Sequence, residues 1–296
     1  MLLLYLLFEL KLLFCQVKAM RCEKIRLKYY YNFLGEGGKD PTLQLFLPYN
    51  MAEMKRTKDK RPCLLICPGG GYGFCSEREG EPIALHFLTE GFNVFVLKYS
   101  TEPHRFPSQL REVAAALELI YRFSDLWNCD TKKIAIMGFS AGGHLAAHYS
   151  TMYDCKEVRE VFPDSKKVNG SILCYPVITA DEKYRHEGSF VNLLGHKPDS
   201  DEEKYFSCDR LVTENTPPAF LWHTTEDTCV PVMNSLLYAK ALTENGVPYE
   251  LHIYPFGGHG LSTCDKHTNF RVSKITEYDK DWLINVKKWL KITLDL

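Results

Sequence analysis

The stretch from Lys133 to Ala147, Lys-Ile-Ala-Ile-Met-Gly-Phe-Ser-Ala-Gly-Gly-His-Leu-Ala-Ala, constrains this chain more than any other. It sets a short apolar run, a Gly-x-Ser-x-Gly turn and the start of an alanine-rich helix in immediate succession. A serine on a sharp strand-to-helix turn is held in a strained backbone conformation, with its hydroxyl presented at the edge of the sheet. Gly138 and Gly142 leave room for the close approach of strand and helix that such a turn requires. The pentapeptide alone arises by chance in many loops. The strand before it and the helix after it make Ser140 the candidate nucleophile.

A chain of 296 residues, 45% hydrophobic and 25% charged, has an ordinary globular composition, and an α/β fold can hold residues 20–296 as one domain. The net charge of −1 points to neither nucleic acid nor an anionic membrane surface. The 11 cysteines are odd in number and lack paired spacing. Cys63, Cys67 and Cys174 lie in apolar strand-like runs, where a thiol acts as a small hydrophobe. Cys63 and Cys67 share a strand face, but no second Cys/His pair at ligand spacing joins them. Free thiols in a reducing compartment, with no metal, are the expectation.

Leu2 to Phe14 is strongly apolar, yet Glu9 and Lys11 interrupt it and no positive charge precedes it. It is too short and too charged to span a bilayer. Val17-Lys18-Ala19 resembles a signal-cleavage site, whereas Met20 directly after it suits a start codon placed too far upstream. Residues 1–19 are therefore expected to lie outside the fold. A cytoplasmic location follows, with secretion the alternative if they form a signal.

Lys24 to Tyr31 and Thr42 to Leu47 alternate apolar and polar residues about the turn cluster Gly35–Pro41, which predicts an opening antiparallel hairpin. Cys63 to Cys67 is a continuous apolar run, the pattern of a strand covered on both faces. A helix over Glu81–Glu90 closed by Gly91, a strand over Phe92–Leu97 and a helix over Pro107–Phe123 follow. After the Ser140 unit come strands over Asn169–Tyr175, Ala219–His223 and Tyr249–Tyr254, and helices over Pro231–Glu244 and Ile275–Ile292. Strands alternating with helices imply a mostly parallel, doubly wound sheet of about eight strands with right-handed crossovers. Val177 to Pro217 breaks the pattern, as an excursion able to cover a site.

A serine hydroxyl needs a base, and the base needs an orienting carboxylate. In open parallel sheets functional groups gather past the carboxyl ends of strands. His259 follows the last strand, in Gly257-Gly258-His259-Gly260, and Asp227 follows the strand before it. Asp227 can also cap the helix near Pro231, and Glu226 is a rival carboxylate; the Val-Pro closely following favours Asp227. His223, His252 and His144 read as packing residues, His144 because it lies one helical turn beyond Ser140. Acyl transfer generates an oxyanion. The Ala141 N–H at the helix start, and the side-chain-free run Gly69-Gly70-Gly71, are donors suited to it. That run lacks the Lys-Ser/Thr ending of a phosphate loop.

Taken together, Pro68-Gly69-Gly70-Gly71-Tyr72, Gly138 to Ala146, Tyr175-Pro176-Val177-Ile178, Asp227 to Pro231 and Gly258-His259-Gly260-Leu261 resemble the α/β-hydrolases of the carboxylesterase/lipase type. The chain is most similar to the small acetyl esterases related to carbohydrate esterases, the xylan esterase-like group. The resemblance implies Ser140 as nucleophile, His259 as general base and then acid, Asp227 orienting His259, and Gly70, Gly71 and Ala141 forming the oxyanion hole. Pro68 departs from the histidine that many lipases carry before the glycines, which argues against the hormone-sensitive-lipase group.

The expectation is a serine hydrolase of short acyl esters, acetyl esters of sugars or oligosaccharides above all, with no cofactor, nucleic-acid or membrane partner. Alternatives are a peptidase or arylformamidase on the same scaffold, or a non-catalytic binding protein of hydrolase fold. The alcohol part of the substrate is not encoded legibly in the excursion or in the Phe74–Glu79 loop.

Overall fold

The central strands are apolar on both faces, so both faces must be covered, and the chain does this with helices. The computed structural model describes residues 19–34, 40–270 and 279–296. Its strands are β1 (Arg21–Arg26), β2 (Thr42–Leu47), β3 (Arg61–Cys67), β4 (Asn93–Lys98), β5 (Cys129–Phe139), β6 (Gly170–Cys174), β7 (Ala219–Thr224) and β8 (Tyr249–Tyr254). They form one 8-stranded sheet in the order β1-β2-β4-β3-β5-β6-β7-β8. β2 is antiparallel to both its neighbours, and every pairing from β4 to β8 is parallel.

Among the described residues the helices of seven residues or more are α1 (Glu81–Leu88), α2 (Ser108–Arg122), α3 (Ala141–Met152), α4 (Glu187–Leu194), α5 (Ser200–Phe206), α6 (Met233–Glu244) and α7 (Asp281–Thr293). Along β3, Leu64 and Ile66 pack into the layer that holds Phe87 of α1 and Trp282, Val286 and Trp289 of α7. Cys63, Leu65 and Cys67 point to the opposite layer, with Leu117 of α2 and Leu145 of α3. β5 divides in the same way, Met137 and Phe139 to one layer and Ile134 and Ile136 to the other. This period-2 division of an all-apolar run is what a doubly covered strand requires.

From β3 the chain crosses to β4 on one side, and from β5 it moves through β6, β7 and β8 on the other. The order therefore reverses between β3 and β5, whose last paired residues are Cys67 and Gly138. The carboxyl ends of two strands that diverge leave a crevice, and ligand sites of open α/β sheets lie there. The glycine run after β3 and the Ser140 turn after β5 both open onto it.

Several expected boundaries shift. The first strand ends at Arg26 instead of reaching Tyr31, because Leu27 turns into the core and a 3₁₀ turn over Leu27–Tyr29 takes over. The helix before Gly91 ends at Leu88, and Gly91, at φ 89°, closes the turn after it. The last helix is described from Asp281. Its expected start at Ile275, most of the Gly35–Pro41 turn and residues 1–18 lie outside the described residues. Among the described residues no disulfide joins the cysteines, and no helix is long and apolar enough to cross a membrane.

The close fit beside the crevice is backbone against backbone. A β-carbon on Gly142 would sit 2.1 Å from the Cys67 carbonyl oxygen and 2.3 Å from that of Pro68. One on Gly138 would sit 2.0 Å from the Gly142 oxygen, and one on Gly143 2.7 Å from Pro176 Cβ. Alanine normally improves a helix by about 1 kcal/mol over glycine. Gly142→Ala is nonetheless expected to destabilise the protein by roughly 2–3 kcal/mol through overpacking, read as a lower Tm in thermal denaturation; an unchanged or raised Tm contradicts this contact.

Candidate active site

Ser140 stands between β5 and α3 at φ 53° and ψ −119°, a combination that L-residues avoid. Three backbone bonds hold it there. Its N–H donates to the Cys174 carbonyl at 3.0 Å, and its carbonyl accepts from His144 at 3.1 Å and from Val177 at 3.0 Å. Neighbouring strand, own helix and excursion thus each fix one side of the turn. The residue is only 7% exposed.

His259 lies on the glycine-rich loop after β8, and its Nε2 is 2.7 Å from Ser140 Oγ. Its Nδ1 is 2.6 Å from Asp227 Oδ2. Asp227, on the loop after β7, is buried, and its Oδ1 accepts from the amides of Cys229 at 3.0 Å and Val230 at 2.9 Å. Burial opposes ionisation of this carboxyl, but hydrogen bonds from His223 and His259 and from the Val230 amide outweigh it. They hold Asp227 well below the usual carboxylate range. His223 does more than pack: its Nε2 lies 3.3 Å from Asp227 Oδ2, while Ser235 and the Val230 carbonyl fix the ring at 2.8 and 2.9 Å. The rival carboxylate Glu226 is exposed, and its Oε2 accepts from the Gly257 amide at 2.9 Å, steadying the His259 loop from outside.

The glycine run bends back toward Ser140. Gly70 has φ 123°, and a β-carbon there would meet the Phe74 carbonyl oxygen at 2.1 Å. Its own carbonyl accepts from the Gly73 N–H at 2.9 Å and the Phe74 N–H at 3.2 Å, so the Gly71 amide, trans to that carbonyl across the same planar peptide, faces away from the turn. The Gly69 N–H is occupied by Glu79 Oε2 at 2.8 Å. The Gly70 and Gly71 amides donate to no acceptor among the described residues. Ala141 opens α3, where an N–H has no intrahelical partner. His144, buried and pushed down to about 4 by desolvation, is neutral; it ties Tyr72 of the glycine loop (2.8 Å) to the Phe206 carbonyl of α5 (2.8 Å).

A strained serine, a histidine and a buried carboxylate at the switch point of such a sheet have known counterparts. The family model BD-FAE matches residues 49–242. The chain belongs to the BD-FAE family. The matched span carries the glycine run, Ser140 and Asp227 and stops before His259. The chain is 41% identical to endo-1,4-beta-xylanase B of Butyrivibrio fibrisolvens over 231 residues, 74% of this chain and 35% of that protein. It is 31% identical to the acetylxylan esterase of Xylanibacter ruminicola over 229 residues, 76% of this chain and 44% of that one. It therefore spans less than half the length of these two relatives. A crystal structure of an acetyl ester-xyloside bifunctional hydrolase from Caldicellulosiruptor lactoaceticus superposes with a TM-score of 0.79 at 35% identity, covering 93% of this chain and 98% of that one. The fold is that of the α/β-hydrolases, and the chain falls in their acetyl/xylan esterase-like group.

In this BD-FAE chain the excursion after β6 supplies side chains that sequence reasoning did not single out. Asn192 of α4 donates to the Gly71 carbonyl at 2.8 Å and so fixes the glycine loop from above. His186 caps α4, with the Ser189 amide donating to its Nδ1 at 3.3 Å, which leaves the proton of the neutral ring on Nε2. Burial, reinforced by the nearby His259, keeps His186 below its ordinary range. A β-carbon on Gly71 would lie 3.9 Å from its Cε1, so His186 borders the crevice. Only tertiary contact reveals either residue, since neither stands in a motif.

Asp227→Asn is expected to lower kcat by roughly 10³–10⁴-fold, through the wrong imidazole tautomer, whereas Glu226→Gln stays within about tenfold; steady-state hydrolysis of p-nitrophenyl acetate ranks the two, and the reverse ranking moves the orienting role to Glu226. A depressed carboxyl also contributes stability above its unfolded pKa near 3.9 that is lost as pH falls through the folded value. The Tm gap between wild type and Asp227→Asn should accordingly narrow on acidification below about pH 4; a gap that widens in acid contradicts the depression.

Proposed function

We propose that this chain is a serine carboxylesterase that hydrolyses short acyl esters, chiefly acetyl esters of carbohydrates, through Ser140, His259 and Asp227. The observation that carries this reading is the unbroken path from Ser140 Oγ to His259 Nε2 at 2.7 Å and from His259 Nδ1 to Asp227 Oδ2 at 2.6 Å. Both distances suit hydrogen bonds in which one ring nitrogen accepts and the other donates. Asp227 then selects the tautomer whose Nε2 lone pair faces the serine.

In the first half-reaction the Ser140 oxygen adds to the ester carbonyl while its proton passes to His259 Nε2. Negative charge on the carbonyl oxygen is met by the N–H groups of Ala141, Gly70 and Gly71, each donor being worth roughly 10²–10³ in rate. The tetrahedral adduct collapses, the C–O bond to the alcohol breaks, and His259 returns the proton to the departing oxygen. Water then gives its proton to His259 and attacks the acyl-serine, and the proton passes back to Ser140 as the acid leaves. Asp227 stays ionised throughout and balances the transient imidazolium.

Acetyl and sugar preference rest on the relatives named acetylxylan esterase and acetyl ester-xyloside hydrolase. Glycosidic cleavage calls for two carboxyl groups flanking the scissile bond. Asp227 is instead engaged by the Cys229 and Val230 amides and two imidazoles, which suits acyl transfer.

Ser140→Ala is expected to cut p-nitrophenyl acetate turnover by roughly 10³-fold or more with an unchanged Tm; near-normal turnover sinks the mechanism. A panel pairing acetylated xylo-oligosaccharides with p-nitrophenyl esters of increasing chain length tests the substrate. Acetyl release from the oligosaccharides and a steep fall beyond short acyl chains are expected, and a preference for long chains overturns the acetyl reading.

A further inference from the structure

Among the buried carboxylates that the proposed chemistry leaves unused, Glu79 lies against the active site. It ends the 3₁₀ turn Glu77–Glu79 just before α1, and its residue is 3% exposed. A buried carboxylate costs several kcal/mol unless its lone pairs are satisfied. Here the partners are two donors, both belonging to segments that frame the active site. Oε2 accepts from the Gly69 N–H at 2.8 Å, and Oε1 accepts from the Tyr175 hydroxyl at 2.7 Å. The same hydroxyl accepts from the Ser262 amide at 2.9 Å, three residues past His259. The Tyr175 ring meets the His259 ring edge to face at 5.1 Å between centroids.

A β-carbon on Gly69 would sit 2.7 Å from Glu79 Oε2 and 3.0 Å from Ser140 Cβ, so the carboxylate and the serine approach the same glycine. One side chain therefore touches the glycine strand next to the Gly70 and Gly71 amides and, through Tyr175, both the ring and the loop of His259. Burial pushes the Glu79 carboxyl up, and the Tyr175 and Gly69 donors offset only part of that, so it stays above the ordinary carboxylate range.

Building on the esterase reading, we propose that Glu79 is a positioning residue of the hydrolysis. By accepting from Gly69 and Tyr175 it sets the direction of the Gly70 and Gly71 N–H groups and the surface against which the His259 imidazole turns. A carboxylate is required because both partners are donors. Glutamine keeps the shape but offers one acceptor and one N–H₂. In Glu79→Gln either the Gly69 amide or the Tyr175 hydroxyl must face a donor, and the Ser262 amide already fills an acceptor site on that hydroxyl. Misplacement of reacting groups by about 1 Å is worth roughly 10²-fold in rate.

The test titrates Ser140 with a fluorophosphonate, so that rates are expressed per competent serine, and then measures p-nitrophenyl acetate kinetics and inhibition by phenylboronic acid, which forms a tetrahedral adduct on serine. Glu79→Gln is expected to lose roughly ten- to a hundredfold in kcat per titrated site, with KM within about twofold and boronate affinity weakened in parallel. Tyr175→Phe, which keeps the ring and removes one bond, should show a smaller loss of the same kind. It decides the matter by the same criteria if Glu79→Gln does not fold. A merely structural role lowers Tm or the titrated fraction and leaves kcat per site and boronate affinity alone, and that result overturns the proposal. A wild-type protein that neither takes the label at Ser140 nor turns over the ester defeats the esterase reading, and the role of Glu79 with it; a wild type that does both, beside an unimpaired Glu79→Gln, defeats the Glu79 proposal alone.

Discussion

Backbone pressed against backbone is the contact on which this molecule depends. Where β5 gives way to α3, the Gly142 Cα faces the carbonyls of Cys67 and Pro68, and Gly138 faces the carbonyl of Gly142. No side chain fits in either gap. That approach brings the carboxyl ends of β3 and β5 together at the reversal of strand order. It also forces Ser140 into its positive-φ turn, where bonds to Cys174, His144 and Val177 absorb the strain. The position of every other group at the crevice is measured from that serine.

Around this fixed point, side chains that accept hydrogen bonds are placed against backbone groups that donate. Asp227 takes two amides and two imidazoles, Glu79 takes an amide and a phenol, and Glu226 takes the amide of Gly257. Three carboxylates thereby hold loops whose glycine content would otherwise leave them free to move. Buried histidines serve the same end. His144 joins the glycine loop to α5, and His223 braces Asp227 from inside the sheet. Donors fixed in advance stabilise developing charge without reorganising, and these contacts fix the loops that carry the Gly70 and Gly71 amides.

The excursion between β6 and β7 belongs to the same economy. Its two short helices do not join the sheet, but Phe190, Leu193 and Phe206 are buried in the core layer that also holds α2 and α3. In addition α4 presents Asn192 to Gly71 and His186 to the crevice, and α5 presents the Phe206 carbonyl to His144. The glycine loop is consequently gripped from below by Glu79 and from above by Asn192.

The amino-acid pattern alone determined the alternation of covered strands and helices, the glycine-flanked serine and the placement of Asp227 and His259 past strand ends, since these follow from local periodicity and turn chemistry. It also separated Asp227 from Glu226 only by neighbouring residues, whereas the folded chain turns one carboxylate inward to His259 and the other outward to Gly257. Glu79 stood at the end of a loop that carries no legible code, and His223 read as a packing residue. The partners of Glu79, Gly69 and Tyr175, are set by tertiary contact, and Asp227 reaches His223 only through the way the loop after β7 turns back, so no local pattern announces either pairing. Local sequence decides which groups stand at the ends of strands. Tertiary structure decides which of them face one another, because hydrogen bonds between distant loops exist only once the sheet has brought those loops together.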